Sequence, residues 1–186
     1  AGRQGAAGAA ASAAAGVVPA AAAATSRVAE RADRGSMAKL LTSSSAGPTN
    51  EVVGTVDGIR QKRLGGSGII VSEVGLGTQR WGSTDFNAPG EAACHAFMDR
   101  AILESGVNLI DTAEQYPIPS DDRFSYEGYT EYIIGTWLAK DKTRRQKVVL
   151  ASKITGGDNV NKQNIIADCE GSLTRLGTDY LDVYLL

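Results

Sequence analysis

Short apolar runs alternating with segments of helical spacing limit this chain's fold more than any other feature. Val107-Asn108-Leu109-Ile110-Asp111, Lys147 through Lys153 and Tyr180 through Leu186 are nearly continuous apolar stretches, with a shorter one between Ser72 and Thr78. Runs of about 4–8 such residues suit strands buried on both faces. Between them, Pro89 to Ser105 carries Ala93, Phe97 and Ala101 four apart, with Met98 and Ile102 beside them. Tyr129–Ala139 places Tyr132, Ile133, Trp137 and Leu138 on one face of a second helix. Lys162–Leu176 does the same with Ile165, Ile166, Cys169, Leu173 and Leu176. Gly106 and Gly177 stand where a left-handed residue ends a helix. Lys140, Lys142, Arg144 and Arg145 follow the second helix, where positive charge is favourable.

Strands and helices in this order predict an α/β fold, a parallel sheet with helices outside it. A doubly wound sheet and a (β/α)8 barrel both fit, and the spacing does not choose between them. A whole barrel needs about 250 residues. The chain has 186 and stops on the apolar Leu185-Leu186, so the expectation is a fragment. Ahead of the first parallel strand, residues 52–72 read as a short hairpin. Its turn is Gly65-Gly66-Ser67-Gly68, followed by the β-branched run Ile69-Ile70-Val71.

Residues 1–50 are a low-complexity, Ala-rich segment, and residues 51–186 carry globular composition. The leader holds Arg3, Arg27, Arg31, Arg34 and Lys39 against Glu30 and Asp33 alone. That basic, acid-poor balance is that of an organelle transit peptide, for a chloroplast ahead of a mitochondrion. The alternative is a disordered leader with Met37 as the start and a cytoplasmic protein. The chain opens on Ala1 rather than Met, so its natural beginning is expected upstream. A net charge of -2 gives no reason to expect nucleic acid or an anionic membrane as partner. The Ala-rich run is broken by Gly, Pro and Arg, and no membrane span is expected. Cys94 and Cys169 are far apart and read as buried thiols, with no metal-type cluster.

In such sheets, chemistry gathers at the C-terminal ends of the strands. Asp111 ends one strand, Lys153 ends the next, and Tyr116 lies in the loop after Asp111. A strand-end Asp and Lys can pair, and a cationic amine beside a phenol favours release of the phenolic proton. A structural salt bridge with an unrelated surface Tyr fits the same spacing.

The local sequences narrow this. Gly75-Leu76-Gly77-Thr78, Gly106 through Asp111-Thr112-Ala113-Glu114-Gln115-Tyr116, Ala151-Ser152-Lys153, and Ser172-Leu173-Thr174-Arg175-Leu176-Gly177-Thr178-Asp179-Tyr180-Leu181-Asp182 together resemble the aldo-keto reductases. Tyr116-Pro117-Ile118-Pro119 is most like that family's Tas-like branch. The resemblance covers residues 63–186. It implies the N-terminal half of a (β/α)8 barrel in an oxidoreductase that moves hydride between NADP(H) and a small-molecule aldehyde or ketone, with no metal. Tyr116 would be the general acid, Lys153 would assist it, and Asp111 would orient Lys153. Gly77, Thr78 and Asp111 would lie at the cofactor. Trp81 would either wall the substrate pocket or pack in its loop. The family's catalytic His is expected within about two residues beyond Leu186, and an inactive fragment is the expectation for the chain alone. His95 reads as an exposed or helix-packing residue. A cofactor-binding regulatory subunit of the same fold is the alternative function.

Overall fold

The computed structural model describes residues 50–85, 87–119 and 126–186, and the transit-peptide reading of the leader falls outside them. The first described elements are β1 (Val52–Val56), β2 (Ile59–Arg63) and β3 (Ile70–Ser72), an antiparallel sheet in that order. The expected hairpin has therefore gained a strand. Asp57 and Gly58 both adopt positive φ, 47° and 86°. This is the turn geometry whose twist matches paired strands, and Asp-Gly is its ordinary sequence. The turn divides the stretch before Leu64 in two.

A second sheet is parallel, with strands β4 (Gly75–Gly77), β5 (Leu109–Asp111), β6 (Val149–Lys153) and β7 (Val183–Leu185). Their order in space is their order in sequence. A doubly wound sheet reverses direction at a switch point, whereas a barrel does not. The sheet is that of the first half of a (β/α)8 barrel, which settles what spacing left open. Helices α1 (Glu91–Met98), α2 (Tyr129–Ala139) and α3 (Lys162–Leu176) connect its strands, and α1 runs on as a wider, π-type turn over Asp99–Leu103.

The three-stranded sheet sits against the N-terminal end of β5. Asn108 Oδ1 accepts from Ser72 N at 2.7 Å, Asn108 Nδ2 donates to Ile70 O at 3.0 Å, and Gln61 Nε2 donates to Gly106 O at 3.0 Å. Gly106 has φ 72°, and a Cβ there would stand 2.3 Å from Val56 O. With the N-terminal end so occupied, the strand ends carrying Asp111 and Lys153 lie at the other edge.

The hydrophobic core lies between the parallel sheet and the helices. Ile110 and Leu150, register partners, pack there with Met98, Ile133, Trp137 and Leu176. Side chains alternate along a strand, so Asp111, Ala151 and Lys153 face the other way, into the barrel interior. Some helix faces depart from expectation. In α1 the buried stripe is Cys94, Met98 and Ile102, and Phe97 is half exposed. The two stripes are one residue apart and both apolar, and the one with the larger aliphatic area goes inward. In α2, Tyr132 is exposed and stacks on Tyr129, while Ile133, Ile134 and Trp137 are fully buried. In α3, Ile166 is exposed and Leu176 buried. Asn161 caps α3 by accepting from Asn164 N, and Gly177 closes it at φ 64°. No helix among the described residues is long and apolar enough to cross a membrane.

Candidate active site

The register pairs Asp111 with Ala151, so Lys153 stands two residues further along its strand. Its chain reaches across to β5. Lys153 Nζ donates to Asp111 Oδ1 at 2.7 Å and to Thr112 O at 2.6 Å. Both side chains remain partly open to solvent, 26% for Lys153 and 44% for Asp111. Tyr116 lies in the loop between β5 and α2. Its N–H donates to Ala113 O at 3.2 Å, and its carbonyl accepts from Gly128 N at 3.0 Å and Thr130 N at 3.3 Å. The start of α2 therefore holds the loop in place. Lys153 Nζ lies 5.0 Å from the centre of the Tyr116 ring. The three ionisable residues singled out from the sequence form one cluster.

Thr78 and Gly77 border it. Thr78 is fully buried, and both its N–H (3.2 Å) and its hydroxyl (2.9 Å) donate to Asp111 O. Its side-chain donor is spent on the Asp111 backbone, so it fixes that strand end directly. Gly77 is the register partner of Asp111, and the space a Cβ would fill there is empty to 4 Å. Trp81 is elsewhere. It is 7% exposed, lies in the core cluster with its ring 6.3 Å from Phe97, and its carbonyl accepts from Thr130 Oγ1. This is the packing expected for it in its loop.

His95 is buried, with Nε2 3.1 Å from Ile133 O and 3.0 Å from Thr136 Oγ1, and so ties α1 to α2. Burial pushes the Cys94 thiol up to about 12, leaving it unreactive as a nucleophile. Cys94 and Cys169 are both free.

Sequence reasoning passed over Glu114 and Thr155. Glu114 N donates to Lys153 O at 3.2 Å. Its Oε1 in turn accepts from Thr155 N at 3.2 Å and Thr155 Oγ1 at 2.5 Å. Burial pushes the Glu114 carboxyl above its usual range, the Thr155 bonds pull it back, and Asp168 pushes it up further. The available signal was position. Glu114 lies in the loop that carries Tyr116, and Thr155 lies just after Lys153.

A singly wound parallel sheet with a Lys–Asp pair and a Tyr at its C-terminal edge defines a (β/α)8-type protein with a candidate site at that edge. Comparison with known proteins gives the family. The profile described as Aldo/keto reductase family matches residues 73–186, and the chain belongs to that family. It is 40% identical over 133 residues to Protein tas of Escherichia coli, covering 66% of this chain and 36% of that protein. It is 38% identical over 129 residues to Methylglyoxal reductase YeaE of the same organism, covering 69% of this chain and 39% of that protein. Among solved structures, the putative aldo-keto reductase PA4992 from Pseudomonas aeruginosa superposes with a TM-score of 0.53 at 27% identity, over 67% of this chain and 46% of that one. The chain spans little more than a third of the length of these curated relatives.

Proposed function

We propose that the full-length protein is an NADP(H)-dependent oxidoreductase that reduces the carbonyl group of a small aldehyde or ketone. The observation that carries this reading is the Lys153 ammonium, held 2.7 Å from Asp111 Oδ1 and 5.0 Å from the Tyr116 ring. One relative is named as a methylglyoxal reductase, so the family includes an enzyme for a carbonyl substrate.

In this reading Tyr116 donates its phenolic proton to the substrate oxygen as negative charge develops there. Lys153 sets a fixed positive charge beside the ring, where it stabilises the phenolate left behind. Asp111 and the Thr112 carbonyl hold that ammonium in one place, so the charge is already positioned when the proton moves. Gly77 leaves open space at the strand end, and Asp111 keeps a partly exposed carboxylate that suits ribose hydroxyls. These residues fit a dinucleotide cofactor. When bound, that cofactor supplies the hydride. The basic, acid-poor leader supports an organelle, a chloroplast ahead of a mitochondrion, with the cytoplasm as the alternative.

The test is NADPH oxidation by the full-length protein across a panel of aldehydes and ketones. Tyr116→Phe should lower kcat about 10²–10⁴-fold. Unchanged activity in that variant would remove the proposed role of the phenol. Cofactor binding with no turnover of any carbonyl would favour the regulatory-subunit alternative.

A further inference from the structure

We propose that Glu114 is a positioning residue that locks the Tyr116 loop onto the strand end carrying Lys153, so that phenol and ammonium keep one separation through turnover. The inference rests on the reductase reading above and adds a residue to it.

Lys153 Nζ reaches the Tyr116 loop through Asp111 Oδ1 and Thr112 O. Those bonds run from a flexible, solvent-accessible side chain and cannot fix the two backbones by themselves. Backbone bonds from Thr112 N to Ala151 O and from Glu114 N to Lys153 O join the two strand ends, and the Glu114 side chain adds the tie beyond Lys153. Its carboxylate takes the Thr155 N–H and hydroxyl together on Oε1. The pattern is reciprocal, because one residue donates to the catalytic strand and accepts from two positions beyond. It brackets Lys153 between bonded backbone positions. On the other side, the Tyr116 carbonyl is held by Gly128 N and Thr130 N at the start of α2. The segment Glu114–Tyr116 is therefore held on both sides, to the start of α2 at Tyr116 and to the β6 end at Glu114.

A misplacement of about 1 Å at a reacting group can cost on the order of 100-fold in rate. Among the described residues, the groups facing Glu114 include Thr155, Asp168 on α3, the Tyr184 phenol on β7 and the Lys153 carbonyl, and Asp168 is itself bonded by Asn159 Nδ2. No cation takes part in these contacts, so the role depends on acceptor geometry. A neutral amide keeps that acceptor.

The experiment compares Glu114→Ala, Glu114→Gln, Thr155→Val and Thr155→Ser in the full-length protein. Kinetics are read beside hydrogen–deuterium exchange over residues 112–118. Glu114→Ala should lower kcat by about 10–100-fold, with the KM for NADPH within about twofold. Glu114→Gln should restore most of the loss. Thr155→Val should lower kcat about threefold and Thr155→Ser should not, so the Thr155 pair tests the lock even if Glu114→Ala fails to fold. Exchange over 112–118 should rise in the Ala and Val variants and stay at the wild-type rate in Gln and Ser. Equal losses in Glu114→Gln and Glu114→Ala would overturn the proposal, as would wild-type kcat in Thr155→Val. If the wild-type protein reduces no carbonyl, the reductase reading falls, and exchange over 112–118 alone decides whether the lock exists.

Discussion

Lys153 Nζ donates to two acceptors on the neighbouring strand end, the Asp111 carboxylate at 2.7 Å and the Thr112 carbonyl at 2.6 Å. Only the first can be removed by changing a side chain. Asp111→Asn therefore keeps a partner for the ammonium and an amide oxygen where Oδ1 stood, and loses only the charge. Lys153→Met removes the charge beside the phenol altogether. In carbonyl reduction by the full-length protein, kcat/KM should fall about tenfold for Asp111→Asn and about 10²–10⁴-fold for Lys153→Met. The reverse order would mean that Asp111 acts directly on the substrate or cofactor.

The raised Glu114 carboxyl makes a prediction about stability. At low pH the folded and unfolded chains both hold this proton, and Glu114 adds no pH dependence. As pH rises through the ordinary carboxyl range, the unfolded chain releases its proton first, because burial holds the folded group higher. The unfolded state gains, so this residue lowers stability progressively until the folded group also ionises. Glu114→Gln has nothing to titrate. Its melting temperature should gain on the wild type as pH is raised from about 4 to 7. A difference between the two that stays constant with pH would show that Glu114 titrates normally.

The elements carried by local physics were readable from the sequence. Tyr129–Ala139 and Lys162–Leu176 have the helix bounds their spacing predicts, because caps and periodicity are local properties. The strand-end placement of Asp111 and Lys153 was readable for the same reason. The face of α1 was not. Ala93 and Cys94 begin two apolar stripes of similar weight, and only the packing of Met98 against Trp137 and Ile110 selects one. Glu114 and Thr155 were missed for a different reason. Their bond joins two loops far apart in sequence, and it follows from the β5–β6 register, which no pattern within either loop encodes.

Between α2 and α3 lies an ion pair of a buried carboxylate and a partly exposed guanidinium. Glu131 is fully buried, with Oε2 accepting from Arg175 Nε at 2.7 Å and Oε1 from Ser152 Oγ at 2.6 Å. Removing one partner strands the other charge in a low-dielectric layer. Arg175→Met should cost about 3–5 kcal/mol in chemical denaturation. Adding Glu131→Leu should recover much of it, because a pair replaced by apolar groups of similar volume leaves no charge uncompensated. If the double variant is as unstable as the single, the damage lies in packing and not in the orphaned carboxylate.

Gly135 reverses the usual rule for glycine within a helix. In an exposed helix interior, replacing Gly by Ala stabilises by about 1 kcal/mol. Gly135 is buried in α2 where that helix meets the end of α3. A Cβ there would stand 2.3 Å from Arg175 O and 3.0 Å from the Leu176 carbonyl carbon. Both are backbone atoms of a helix that cannot rotate aside, so α3 would have to shift. Any shift pulls Arg175 away from Glu131 and disturbs Leu176, which is fully buried. Overpacking of this kind costs about 1–3 kcal/mol, which outweighs the gain in helix propensity. Gly135→Ala should therefore lower the melting temperature. Combined with Arg175→Met it should be less than additive, because both act on the same helix contact. A rise in melting temperature for Gly135→Ala would mean that α2 and α3 are not in close backbone contact in solution.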